Sequence, residues 1–212
     1  MVTLKIVRKR PEKKVVLLRP KERILKYLIE NKGPKPIMQI SGATFMDYKN
    51  TYNLIKELEK KGLIIKEVIG NTNPVRVSLK PNYDIYLTEN KRTEEFLNKY
   101  SKLRVVKKYI QELNYPFMIV LVFGSYVKGN ANDSSDIDVC VICDSLEVKK
   151  ELNNKLNLLS LKIELHDFSS EEFVSMIKKK ENNVGNEILK SNVILYGIEN
   201  YYNLISKWMK KE

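Results

Sequence analysis

The strongest constraint on how this chain can fold is the apolar run Met118-Ile-Val-Leu-Val-Phe123, rich in β-branched residues and ended by Gly124-Ser125. Six apolar residues are too few for a buried helix and read as a buried strand. A Gly-Ser pair where such a strand enters a short helix presents backbone N–H groups and a hydroxyl. A phosphate can approach there without meeting a Cβ. A second strand signal follows at Val139 to Ile142, opened by Ser135-Asp136-Ile137-Asp138. Side chains alternate along a strand, so Asp136 and Asp138 are expected on one face, with Ile137 and Val139 turned into the core. Two carboxylates beside a phosphate cradle predict a Mg²⁺ site.

The stretch Gly124-Ser125-Tyr-Val-Lys128-Gly129-Asn-Ala-Asn-Asp-Ser-Ser-Asp136-Ile-Asp138 is similar to the signature of the DNA polymerase β-type nucleotidyltransferase superfamily, in its minimal nucleotidyltransferase branch. That signature runs Gly-Ser, three residues, Gly, six residues, Asp-x-Asp, and the chain follows it without a gap. Lys128 and Asn132 stand where many members carry arginine. The resemblance implies nucleotide binding by Gly124, Ser125, Lys128 and Gly129, and metal-dependent catalysis by Asp136 and Asp138. The reaction it implies is transfer of a nucleoside monophosphate, with ATP as the expected donor and Mg²⁺ as the expected cofactor, to a hydroxyl acceptor as pyrophosphate leaves.

Members of that family usually carry a third carboxylate on a neighbouring strand, and Leu161-Lys-Ile-Glu-Leu-His-Asp-Phe168 is the candidate strand. Parity favours Glu164 as the third catalytic and metal-binding residue. Leu161, Ile163 and Leu165 would face the core, leaving Lys162, Glu164 and His166 on the polar face. Asp167 shares the apolar parity or sits beyond the strand end. His166, the chain's single histidine, is expected as a neighbour of the site more than as its base. Cys140 and Cys143 imitate a metal or redox pair, but on a strand these positions face opposite sides, so burial as small apolar residues is expected.

Charge separates the N-terminal part from the rest. Of 38 Lys+Arg and 26 Asp+Glu, 19 and 7 fall within residues 1–80, so the remainder balances and the net +12 sits in those residues. Such an excess suits a polyanion partner. Helical periodicity begins at Lys21 and ends at Gly33-Pro34; a second helix is expected near Pro36, and a third from about Asp47 to Lys61. Strands are expected at Leu63 to Ile69 and Val75 to Leu79, around a turn-forming Gly70-Asn-Thr-Asn-Pro74. This order resembles a winged helix-turn-helix, with Tyr48 to Ile64 as recognition helix and exit into the wing. That resemblance implies binding of duplex DNA: Lys49, Asn50 and Asn53 would be exposed to base edges, and Lys49 and Lys56, with Arg76 and Lys80, would meet phosphates, while Thr51, Ile55 and Leu58 face inward.

The expected fold is therefore α/β (α+β): an N-terminal winged helix-turn-helix domain over residues 1–82, then a C-terminal nucleotidyltransferase domain over 83–212, with a small mixed sheet flanked by helices. Residues 1–20 could form a hairpin or arm. Residues 82–92 read as a connector that Tyr83, Ile85, Tyr86 and Leu87 suggest is docked on a domain, Thr93 to Leu113 as one helix, and Glu171 to Trp208 as helices interrupted at Gly197, with Tyr196, Tyr201, Tyr202 and Trp208 as packing aromatics. No apolar run approaches the ~18 residues of a membrane span, and no signal-peptide core follows the basic N-terminus, so a cytoplasmic protein without membrane partners is expected. Minimal nucleotidyltransferases of this type pair with HEPN-type toxins and adenylylate a toxin tyrosine, which makes such a toxin–antitoxin partner an expectation beside the nucleoside triphosphate. Winged-helix proteins commonly dimerise on paired half-sites, so a homodimer is a further one. The rival reading is a transcriptional regulator whose transferase fold only binds nucleotide or a partner.

Overall fold

The computed structural model describes residues 16–70, 72–179 and 181–209. Most of the arm expected over residues 1–20 lies outside them, as does the side chain of Trp208. The described chain opens with helices α1 (Pro20–Glu30), α2 (Ile37–Thr44) and α3 (Tyr48–Lys60) and an antiparallel pair, β1 (Ile64–Lys66) and β2 (Val75–Val77). The Asp47 side chain caps α3 by accepting from the Asn50 N–H, so a chain entering from the turn satisfies a helix donor locally. The strands are shorter than expected: beyond Lys66 the two sides stay joined only by the Glu67 N–H to Pro74 carbonyl bond and the isolated bridge Ile69–Thr72.

Next come α4 (Tyr83–Lys99), α5 (Leu103–Glu112), β3 (Ile119–Val122), α6 (Gly124–Lys128), β4 (Ile137–Ile142), α7 (Leu146–Asn157) and β5 (Ile163–Phe168). The chain continues through α8 (Ser170–Lys178), α9 (Val184–Lys190), β6 (Val193–Tyr196) and α10 (Ile198–Met209). Four strands form one sheet in the order β5-β4-β3-β6, parallel between β4 and β5 and antiparallel elsewhere, which is the mixed sheet expected.

The structure departs from three further expectations. The single helix over Thr93–Leu113 is two helices, and the expected connector is the first half of α4. The break falls at Tyr100, whose ring meets Phe96 and Tyr126 edge-on at 5.0 Å each, while Leu97 and Leu103 are both buried beneath it. The polar look of residues 82–92 misled because Glu89 and Arg92 are buried as a pair. The C-terminal region is not all helical: Val193–Tyr196 pairs with β3 as β6. Gly197 turns the chain out of that strand at φ 77°, where an added Cβ would lie 2.2 Å from the Met118 carbonyl oxygen.

The sheet has an apolar core on each face. α5, α7 and the end of α4 cover one, over Val120, Val122, Val139 and Val141. The other is continuous from the N-terminal helices into the sheet, joining Leu28, Ile55 and Ile85 to Phe123, Ile142, Ile188 and Tyr201. Polar contacts follow the same seam. The Arg92 guanidinium meets Glu89 and the Asn192 carbonyl, the Tyr202 hydroxyl donates to Glu89 at 2.8 Å, and the Lys32 ammonium donates to the Leu189 carbonyl. Residues on both sides of position 82 thus share one interior.

Candidate active site

The polar centre forms where strand register overrides sequence distance. β4 and β5 run parallel with Asp138 opposite Glu164 and Cys140 opposite His166. Glu164 and His166 are two residues apart on one strand and therefore share a face. Ligand atoms of Asp138, Glu164 and His166 all lie within 4.8 Å of one another. His166 Nε2 is 3.2 Å from Glu164 Oε1, and its ring packs edge-on against Phe123 at 5.3 Å. Asp138 and His166 are half-buried and Glu164 is exposed.

Gly124 makes room for this centre. It leaves β3 with φ 66°, and a Cβ built there would lie 1.9 Å from Asp138 Oδ2, so any side chain would displace the carboxylate. The Ser125 backbone amide lies beside the Asp138 carboxyl, close enough to favour its charge. Burial pushes the Asp138 carboxyl above its ordinary range and the Glu164 charge adds to that, while the Ser125 N–H and His166 pull it down.

Not every expected residue joins the centre. Asp136 is exposed and lies outside the three-residue group. β4 begins at Ile137, whose N–H bonds to the Lys162 carbonyl, so Asp136 immediately precedes the strand. Lys128 forms an ion pair with Glu187 of α9 at 2.6 Å, and Gly129 caps α6. Asp167 lies on the opposite face of β5 from Glu164 and pairs with Lys149 of α7 at 3.2 Å, so the register separates these two candidates as parity anticipated. Cys140 and Cys143 are buried in the cores on opposite faces, and burial raises both thiols. Sequence reasoning missed Glu187, whose charge acts on Asp138 and which also lines an open cleft of about 480 Å³ with Lys128, Asn183, Asn186 and Lys190. No local pattern marks it, because α9 reaches the site only through the tertiary fold.

In the N-terminal module, Lys49, Asn50, Asn53 and Lys56 are exposed along α3 while Thr51, Ile55 and Leu58 are buried. Lys56 sits 4.6 Å from the Tyr52 ring centroid, and Tyr48 stacks on Tyr52 at 6.3 Å. Arg76 is committed to an ion pair with Glu67 across the hairpin, whereas Lys80 is exposed.

Residues 104–201 match the model of the family described as Polymerase beta, Nucleotidyltransferase. The match spans α5 to the start of α10 and includes all four strands of the mixed sheet and every residue of the polar centre. It supports placing this part of the chain in the nucleotidyltransferase superfamily, with nucleotidyl transfer in general as its activity. Comparison with curated proteins returns no match. Among the described residues, no helix is long and apolar enough to cross a membrane.

Proposed function

We propose that the chain transfers AMP from ATP, with Mg²⁺, to a hydroxyl acceptor, and that the α3 face holds it on duplex DNA. The observation that carries the transferase reading is the β4–β5 register, which sets Asp138 beside Glu164 under a glycine whose Cβ would strike the carboxylate. Two carboxylates and an imidazole suit a divalent cation, since ligands at ~2.1 Å from one ion stand about 3–4 Å apart. Asp138 and Glu164 would hold it; the ion, when bound, neutralises phosphate charge and makes the acceptor hydroxyl easier to deprotonate. Gly124 makes room for the Asp138 carboxylate against the backbone, Ser125 and Gly129 stand at either end of the short helix that a phosphate would meet, and Lys128 and Lys190 line the cleft where the nucleotide can extend. The acceptor in this reading is a tyrosine hydroxyl on a HEPN-type partner. Incubation with α-labelled ATP, Mg²⁺ and such a partner tests it: label on the partner's tyrosine is expected, and label elsewhere redirects the acceptor.

The regulator reading draws on a separate observation, the exposed Lys49, Asn50, Asn53 and Lys56 on a helix whose opposite side is buried. Full-length chain in a mobility-shift assay should bind duplex DNA with an affinity that falls steeply with salt, as phosphate contacts release counterions. Retention that ignores salt would make this face a protein-docking surface instead.

A further inference from the structure

Among the groups gathered at the site, His166 stands apart because a purely electrostatic Mg²⁺ centre has no use for an imidazole. Resting on the transferase reading above, we propose that His166 Nε2 is a direct ligand of the metal held by Asp138 and Glu164, so that the centre prefers divalent transition ions such as Mn²⁺ to Mg²⁺. Three independent features place the nitrogen there. Parallel register puts His166 on the same face as Glu164 and one step along from Asp138. Nε2 reaches to 3.2 Å from Glu164 Oε1, and the three ligand atoms fit within 4.8 Å, the span a single ion can close. The Phe123 ring packs edge-on against the imidazole and holds it toward the carboxylates instead of outward, its side chain being only 25% exposed. Mg²⁺ is hard and takes oxygen ligands almost exclusively, whereas an imidazole raises affinity for first-row transition ions. Coordination through Nε2 requires the neutral imidazole, so the metal replaces the Nε2 proton that otherwise faces Glu164.

The test measures binding of the metal alone to full-length chain, by calorimetry for Mn²⁺ and Mg²⁺ and by electron spin-echo spectroscopy of bound Mn²⁺. Wild type, His166→Gln and Asp138→Asn are compared. Glutamine keeps an N–H donor for Glu164 but removes the ring nitrogen. Wild type is expected to show ¹⁴N modulation from a coordinated imidazole. His166→Gln should lose the modulation and shrink the Mn²⁺-over-Mg²⁺ affinity ratio about tenfold. Asp138→Asn should bind neither ion well. If wild-type Mn²⁺ shows no ¹⁴N modulation and His166→Gln keeps the same ratio, His166 lies outside the coordination sphere and the proposal fails while the carboxylate site stands. If Mn²⁺ binds Asp138→Asn as it binds wild type, the carboxylate site is itself misassigned and the ligand role of His166 falls with it.

Discussion

The polar centre of β4 and β5 and the exposed face of α3 are built in opposite ways. On α3, each side chain owes its position to one helix: the buried Thr51, Ile55 and Leu58 set the rotation, and Lys49, Asn50, Asn53 and Lys56 follow from the helical repeat. At the centre, Asp138, Glu164, His166 and Gly124 come from three segments and meet only because two strands pair in one register. Groups placed independently should respond additively to substitution, and groups placed by one shared contact should not. Both regions nevertheless draw on the core that runs from α1 to α10.

The strongest perturbation strikes both at once. Glu89→Ala leaves the buried Arg92 guanidinium with only the more distant Glu30 carboxylate, at 3.6 Å, and should destabilise the chain by about 3–5 kcal/mol. Urea unfolding followed by a probe near α3 and another near β4 should then shift together. Separate midpoints would show that the N-terminal module folds on its own and that the continuous core does not couple it. Next in size, Asp138→Asn should lower nucleotidyl transfer by ~10²–10³-fold while leaving DNA retention unchanged, as read from labelled ATP and mobility shift on the same preparation. Gly124→Ala should reproduce the loss of transfer by displacing the Asp138 carboxylate, and an active Gly124→Ala chain would break the argument from that contact.

Substitutions on α3 should be smaller and independent. Asn50→Ala and Asn53→Ala are each expected to weaken sequence preference by about 1–3 kcal/mol, and the double variant should equal their sum. A double effect well below the sum would mean that the two residues act as one contact. Lys49→Ala should instead flatten the salt dependence, by ~0.9 in the log–log slope if its ammonium neutralises one phosphate. Arg76→Ala, whose guanidinium is held by Glu67, should change that slope less.

The weakest effect concerns pH. The Asp138 carboxyl is raised in the folded chain, chiefly by burial and then by Glu164, so the folded state takes up this proton before the unfolded chain does. Its contribution to metal-free stability is therefore greatest below the ordinary aspartate range and is lost as pH rises through the raised value. Metal-free Asp138→Asn should be more stable than wild type at pH 7, with the gap closing on acidification. Thermal melts in chelator at several pH values measure it, and a gap that widens on acidification would contradict the sign.

Much of this was legible in residue order because the signals were local. The apolar run before Gly124-Ser125, the two-residue alternation that put Glu164 and His166 on one face, and the helical repeat of α3 each depend on neighbours a few positions away. Strand parity even separated Glu164 from Asp167, since a single step along β5 reverses the face. Residues 82–92 looked like a docked linker because Glu89 and Arg92 are charged, and their mutual pairing, with Glu30 of α1 and with Tyr202 and the Asn192 carbonyl from the far end of the chain, makes burying them tolerable. β6 was invisible for a related reason: four apolar residues declare neither helix nor strand until β3 supplies an edge to pair with. Residue order alone established which side chains could serve as ligands and which faces were apolar. Folding was needed to bring Asp138, Glu164 and His166 together, because convergence is a property of strand register, which is not encoded within a few residues of the site.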